Sequence, residues 1–188
     1  MFDKVYCINL DSRTDRWEEC QSEFNKLKWP VERFPGVVGV NQSYYNCLKA
    51  AAGFESSLIL EDDVEFLDVD KMYQSLGDLP EDWQLVSLGA NLPIHHHIKV
   101  TDRLYRYECG WATQAVGYRK DMIEWILKNF DPNQDIVYDD WFRRNVLRQF
   151  KCYIVKPMAA YQRASFSDLW GKFVDYTELF NQSQMMLV

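Results

Sequence analysis

The 188-residue sequence predicts an α/β protein with a mostly parallel central sheet flanked by helices. Three observations predict it. Short apolar runs alternate with amphipathic helical patterns along the whole chain, the mark of layered α/β structure. The run Leu58-Ile59-Leu60 is apolar on both faces, as a strand covered on both sides must be. That run passes straight into Glu61-Asp62-Asp63, and ionised carboxylates sit in a core only when paired or metal-bound. The acids therefore belong at the carboxyl end of the strand, where such sheets place their ligands.

The elements follow in order. Lys4 to Leu10 reads as the first strand, and Asp11 or Ser12 offers a cap to the next helix. In that helix Trp17, Cys20, Phe24 and Leu27 recur at three- and four-residue spacing, and Trp29-Pro30 ends it. Val31 to Phe34 with Val37-Val38 reads as a short strand broken by Pro35-Gly36. Gln42 to Ala52 is helical, with Tyr44, Cys47, Leu48 and Ala51 on one side and Gly53 as its stop. After the acidic strand come a helix from Asp70 to Leu76, a turn through Trp83 and a strand from Gln84 to Gly89.

Ala90 to Thr101 is irregular and carries His95-His96-His97. Adjacent histidines on an extended segment alternate in direction, so at most two meet one ion, and a loop facing solvent or substrate is expected. Leu104 to Tyr107 is extended, Trp111 to Tyr118 is a strand, and Lys120 to Asn129 is a helix. Ile136-Val137-Tyr138 meets Asp139-Asp140, after which a helix runs from Trp141 to about Gln149. Cys152 to Val155 is the last strand. The tail, with Phe166, Leu169, Trp170, Phe173, Tyr176 and Phe180, reads as an amphipathic helix or a cover over the site. With no internal repeat or linker, residues 1–188 form a single domain, of which 168–188 is a helical tail.

Composition bounds the function. Hydrophobic residues at 47% and aromatics at 15% describe a globular chain, not a disordered one. A formal charge of −7 with no basic run argues against nucleic-acid binding. Five widely spaced cysteines without a CxxC pair argue against both a zinc site and a disulfide framework. They favour free thiols in a reducing compartment. No apolar run approaches the roughly 18 residues of a membrane span, and the N-terminus has no signal-peptide pattern. A cytoplasmic protein with at most peripheral membrane contact is expected.

Three polar groups fall where strands or their turns end: Arg13/Arg16, Glu61/Asp62/Asp63 and Asp139/Asp140. The acidic run is either a solvated turn or a site for Mg²⁺ or Mn²⁺, which bind one or two carboxylates plus substrate phosphates. The arginines are either solvated first-turn residues or a clamp on a diphosphate. One of Asp139 and Asp140 can cap a helix and leave the other facing the cleft. Together the groups suit transfer away from a diphosphate, with a spare carboxylate to take a proton from an attacking hydroxyl.

Val5 to Asp11 followed by Arg13 and Arg16 resembles the opening motif of glycosyltransferase family 25, the lipooligosaccharide and collagen galactosyltransferase-like group. Arg33-Phe34-Pro35-Gly36-Val37 with Gly39, Leu58 to Val64, Asp139-Asp140, and Pro157 to Gln162 with Ser167-Asp168 resemble its later blocks in order. The resemblance spans about residues 3 to 168. It implies a single GT-A-like domain with a Rossmann-like sheet. It also implies a nucleotide-sugar donor, most simply a UDP-sugar, held through Mn²⁺ or Mg²⁺ on Asp63 and Glu61. Asn9, Leu10, Arg13, Arg16, Glu61 and Asp62 would contact the donor, and Asp139 or Asp140 would be the base of an inverting transfer. The acceptor would be a hydroxyl of a glycan, a lipid-linked sugar or a glycoprotein. Where the family has Ser-His, this chain has Ser43-Tyr44, and it is short between Gly89 and Trp111. The competing expectations are a metal-dependent phosphohydrolase and a non-catalytic glycan-binding module with aromatic stacking platforms.

Overall fold

A computed structural model describes residues 1–93 and 98–187. The chain opens with β1 (Lys4–Leu10), α1 (Thr14–Phe24), β2 (Glu32–Gly36) and α2 (Val40–Ala51). The acidic segment forms β3 (Ser56–Glu61), a turn at Asp62-Asp63 and β4 (Val64–Phe66), followed by α3 (Val69–Gly77). Then come β5 (Leu85–Ser87), β6 (Lys99–Thr101), β7 (Leu104–Arg106), β8 (Ala115–Arg119) and α4 (Lys120–Asn129). The last elements are α5 (Tyr138–Asn145), β9 (Cys152–Val155), β10 (Ala160–Gln162), β11 (Ser165–Ser167), β12 (Lys172–Val174) and α6 (Thr177–Met186).

The central sheet has eight strands in the order β2-β1-β3-β8-β5-β9-β7-β6. β8 and β7 run against the other six. Alternation along the strands sends side chains into two apolar layers. Val5, Cys7, Leu58 and Leu60 pack with Cys20 and Phe24 of α1 and Met72 and Leu76 of α3. Tyr6 and Ile59 face the opposite way and pack with residues of α2, α4 and α5. Burial on both faces is why β3 reads as an unbroken apolar run, and why its charged residues begin only at its carboxyl end.

Several boundaries differ from the sequence expectation. α1 stops at Phe24, not at Trp29-Pro30, because Lys26 and Leu27 donate to carbonyls only three residues back, which tightens and ends the helix. Pro35 and Gly36 lie inside β2, at the sheet edge, where a missing N–H costs no ladder bond. The strand expected from Trp111 starts only at Ala115, since Ala112 has φ +76° and breaks the extended run. α5 begins at Tyr138, so Asp139 and Asp140 lie within its first turn instead of before it. In the tail, α6 starts at Thr177, and the residues before it pair as the β11–β12 hairpin. The histidine run at 95–97 lies outside the described residues.

One close approach ties the sheet to the site. A Cβ at Gly89 would run into the carbonyl oxygen of Ala160, and Gln114 Nε2 donates to the carbonyls of both residues at 3.1 and 3.2 Å. Gly89→Ala is therefore expected to destabilise the protein by about 1–3 kcal/mol, read as a lower urea midpoint. An unchanged midpoint would mean that the two segments part freely.

Candidate active site

The parallel register of β1 and β3 sets Ile8 opposite Glu61, so the carboxyl ends of both strands open at one place. A cavity of about 880 Å³ lies there, in the range of sites for small organic ligands. Of the residues singled out from the sequence, Leu10, Arg16, Glu61, Asp62, Asp63 and Asp139 line it. Asn9, Arg13 and Asp140 do not.

Arg16 is the electrostatic centre. Its guanidinium contacts Asp62 Oδ1 at 2.8 Å and Asp63 Oδ2 at 2.5 Å, with all three side chains about nine-tenths buried. It also donates to Ser165 Oγ at 2.9 Å. A solvated first-turn arginine is thus excluded, and the residue's charge is committed to the two aspartates. Asp62 has both oxygens engaged, since Asn9 Nδ2 donates to its Oδ2 at 2.7 Å. Burial raises the pKa of Asp62, against the pull of Arg16 and Asn9.

Asn9, expected to touch a donor, is instead a buried brace. It donates to Asp62 and to the Arg13 carbonyl and accepts from Arg33 Nε at 2.8 Å. Arg13 stands at the N-cap position of α1 in place of Asp11 or Ser12 and pairs with Asp15 and with Asp168 at 2.5 Å. Those bonds tie the helix to the loop of the tail hairpin. Asp140 is held by Arg143 at 2.7 Å and Arg144 at 2.5 Å, which keeps its pKa low and turns its charge away from the cavity.

Asp139 is the contrasting member of that pair. It lines the cavity, and burial raises its pKa. Glu61 is the third acid. Its Oε1 accepts from Tyr44 Oη at 2.5 Å and Thr113 Oγ1 at 2.9 Å, and Tyr44 also donates to the Thr113 carbonyl. Burial, with the nearby Asp63 charge second, pushes its pKa up to about 7. Asp139 adds to that rise, so the two acids share one electrostatic neighbourhood.

A carboxyl whose folded pKa lies above its unfolded one stabilises the fold when protonated. For Glu61 that contribution is fully present below about pH 4.5 and is lost as pH rises through about 7. In the presence of a chelator, wild type is expected to lose a few degrees of Tm more than Glu61→Gln between pH 5 and pH 8. Parallel curves for the two proteins would contradict it.

Among the described residues, no three His, Cys, Asp or Glu side chains cluster closely enough to hold a metal ion by themselves. Two carboxylates nevertheless fit a hard divalent cation that takes its remaining ligands from water and phosphate. Asp63 Oδ2 accepts from Arg16 and from Gln162 Nε2 at 2.9 Å, but its Oδ1 is buried with no partner among the described residues. A buried anionic oxygen without a donor is costly unless a cation completes it. On Glu61, no described donor reaches Oε2.

Sequence reasoning missed Tyr44, Thr113 and Gln162 as site residues. Tyr44 was assigned to the core by helical spacing, and it is indeed buried against Tyr138, yet its hydroxyl reaches the cavity wall. Thr113 was hidden in an expected strand. Gln162 appeared only within the closing block of the family resemblance.

No protein-family model matches the chain, and no curated protein matches it. Solved structures do share its shape. A glycosyltransferase involved in the glycosylation of the major capsid of PBCV-1 superposes with a TM-score of 0.53 at 13% identity, covering 80% of each chain. A197 from STIV gives 0.52 at 13% identity, covering 93% of each chain. A 4-diphosphocytidyl-2C-methyl-D-erythritol synthase from Anaerococcus prevotii gives 0.50 at 12% identity, over 98% of this chain and 78% of that one. The fold is therefore GT-A-like; at such identities the likeness extends to fold alone. No described helix is long and apolar enough to cross a membrane.

Proposed function

We propose that the protein is a metal-dependent glycosyltransferase that moves a hexose from a nucleotide-diphosphate sugar, a UDP-hexose in the simplest case, to a hydroxyl of a glycan or glycoconjugate. The observation that carries this reading is one cavity holding two separate acidic functions. One is the Glu61–Asp63 set, with a buried oxygen that has no partner among the described residues; the other is Asp139, which forms no ion pair among the described residues, whereas Asp140 is held by Arg143 and Arg144. Such a division suits a site where one group of acids manages a leaving diphosphate and another carboxylate manages a nucleophile.

In this reading Glu61 and Asp63 hold Mn²⁺ or Mg²⁺, whose positive charge offsets the charge growing on the leaving nucleotide diphosphate. Arg16 holds Asp62 and Asp63 in place through its two buried ion pairs. Tyr44 and Thr113 fix the rotamer of Glu61, so its second oxygen stays turned to the cavity. Asp139 takes the proton of the acceptor hydroxyl as that oxygen attacks the anomeric carbon. A single displacement of this kind inverts the anomeric centre. Leu169, Trp170 and Tyr176 of the tail line one wall of the cavity.

The test is a thermal-shift panel of UDP-, GDP- and dTDP-hexoses with Mn²⁺ and with chelator. At a hundredfold excess over Kd, a donor adds about 2.7 kcal/mol, or roughly 5–10 °C for a chain of this size. The shift is expected with Mn²⁺ and a nucleotide sugar together. No shift from any donor would overturn the proposal, and release of inorganic phosphate without sugar transfer would favour a phosphohydrolase.

A further inference from the structure

We propose that Trp111 is the platform of an acceptor subsite, on which a hexopyranoside stacks by its apolar C–H face with one hydroxyl directed at Asp139. The inference deepens the glycosyl-transfer reading and rests on it.

Trp111 lies in the cavity wall yet keeps 37% of its surface open, whereas Trp83 and Trp141, which pack in the core, keep 6% each. A large aromatic left open beside the acids and hydroxyls of the cavity offers what a sugar ring needs, an apolar face next to hydrogen-bonding groups. The ring is also held still. The Arg143 guanidinium lies 4.8 Å from its centroid, and Arg143 is itself anchored on Asp140 at 2.7 Å. The Trp111 backbone exchanges two 2.9 Å hydrogen bonds with Asn91, another cavity residue. A platform fixed in advance loses little entropy when it binds.

Two ties join this ring to Asp139. The next residue, Ala112, has φ +76°, a left-handed conformation uncommon outside glycine that persists where the surroundings over-determine it. Ala112 lines the same cavity as Asp139. The second tie runs through α5, where Asp139 and Arg143 are four residues apart and so neighbours on one face, about 5–6 Å between Cβ atoms. Ring and carboxylate thus line one cavity and share Arg143 as a neighbour. Thr113, next along, holds Glu61 at 2.9 Å. Residues 111–113 are one strap that carries the platform and, through Thr113, holds one acid of the cation site.

Saturation-transfer NMR with methyl β-glucopyranoside, methyl β-galactopyranoside and methyl N-acetyl-β-glucosaminide, in the presence of UDP and Mn²⁺, tests the subsite. Ring C–H protons of at least one glycoside are expected to saturate in wild type and in Trp111→Tyr. The signal should fall at least fivefold in Trp111→Ala and in Trp111→Leu, which fills the space without a π face; unfolding transitions confirm that both are folded. No signal in wild type from any of the three, or an undiminished one in folded Trp111→Leu, overturns the proposal. Donor binding is scored separately on wild type. A protein that binds UDP-hexose but shows no Trp111-dependent glycoside signal retains the transferase reading and loses this subsite; glycoside binding without any donor binding does the reverse.

Discussion

Asp139→Asn is expected to lower turnover of sugar transfer by about 10²–10⁴-fold, the usual contribution of a positioned general base. The side chain keeps its shape, so the cavity should survive. The Mn²⁺-dependent thermal shift caused by the donor should therefore persist. Asp140→Asn is the matched control. Asp140 is spent on Arg143 and Arg144, and i,i+3 and i,i+4 pairs of this kind are worth less than about 1 kcal/mol. Its loss should leave turnover within a few-fold of wild type. Initial rates on a transferred acceptor decide the matter: equal rates for wild type and Asp139→Asn would place the base elsewhere.

Replacing Asp63 should remove Mn²⁺-dependent transfer altogether. Even groups that only support a metal ligand cost 10–100-fold in affinity when changed, so loss of the ligand itself should weaken Mn²⁺ binding by more than about 100-fold. Free Mn²⁺ measured by electron paramagnetic resonance gives that affinity without any turnover. The same substitution carries a stability cost, because Asp63 is one of two buried partners of Arg16. Breaking a buried pair costs about 3–5 kcal/mol; Asp62 remains, so Asp63→Ala should sit near the lower end. Asp63→Asn keeps a hydrogen-bond acceptor for Arg16 and should be the milder variant in denaturation while losing the metal equally. Wild-type Mn²⁺ affinity in Asp63→Asn would exclude Asp63 as a ligand.

The acids at the end of β3 were legible because three carboxylates directly after a doubly buried strand leave few places to go. Arg16 was legible as a site residue but not in its role. Its position in the first turn of α1 said that it faced the strand ends; only the packed coordinates show it bonded to Asp62 and Asp63 instead of waiting for a phosphate. Asn9 was displaced for a similar reason, since its burial beneath Asp62 depends on the register between β1 and β3. Asp139 and Asp140 are adjacent and chemically identical, so spacing alone left them equivalent. The helix start at Tyr138 separates them: successive residues on a helix point about 100° apart, which sends one into the cavity and the other toward Arg143 and Arg144.

By itself the sequence determined the α/β class and the placement of β1, β3, α4 and β9, and it pointed to Arg16, Glu61, Asp62, Asp63 and Asp139, which the structure places around one cavity. Those follow from local periodicity and from the cost of burying charge, and both act over a few residues. The tertiary structure alone decided which charges neutralise one another, which carboxylate of each neighbouring pair meets the cavity, and that Tyr44, Thr113 and Trp111 belong to its wall. Those outcomes depend on contacts between segments tens of residues apart, where a rotation of one residue or a single left-handed backbone angle at Ala112 changes what a side chain can touch.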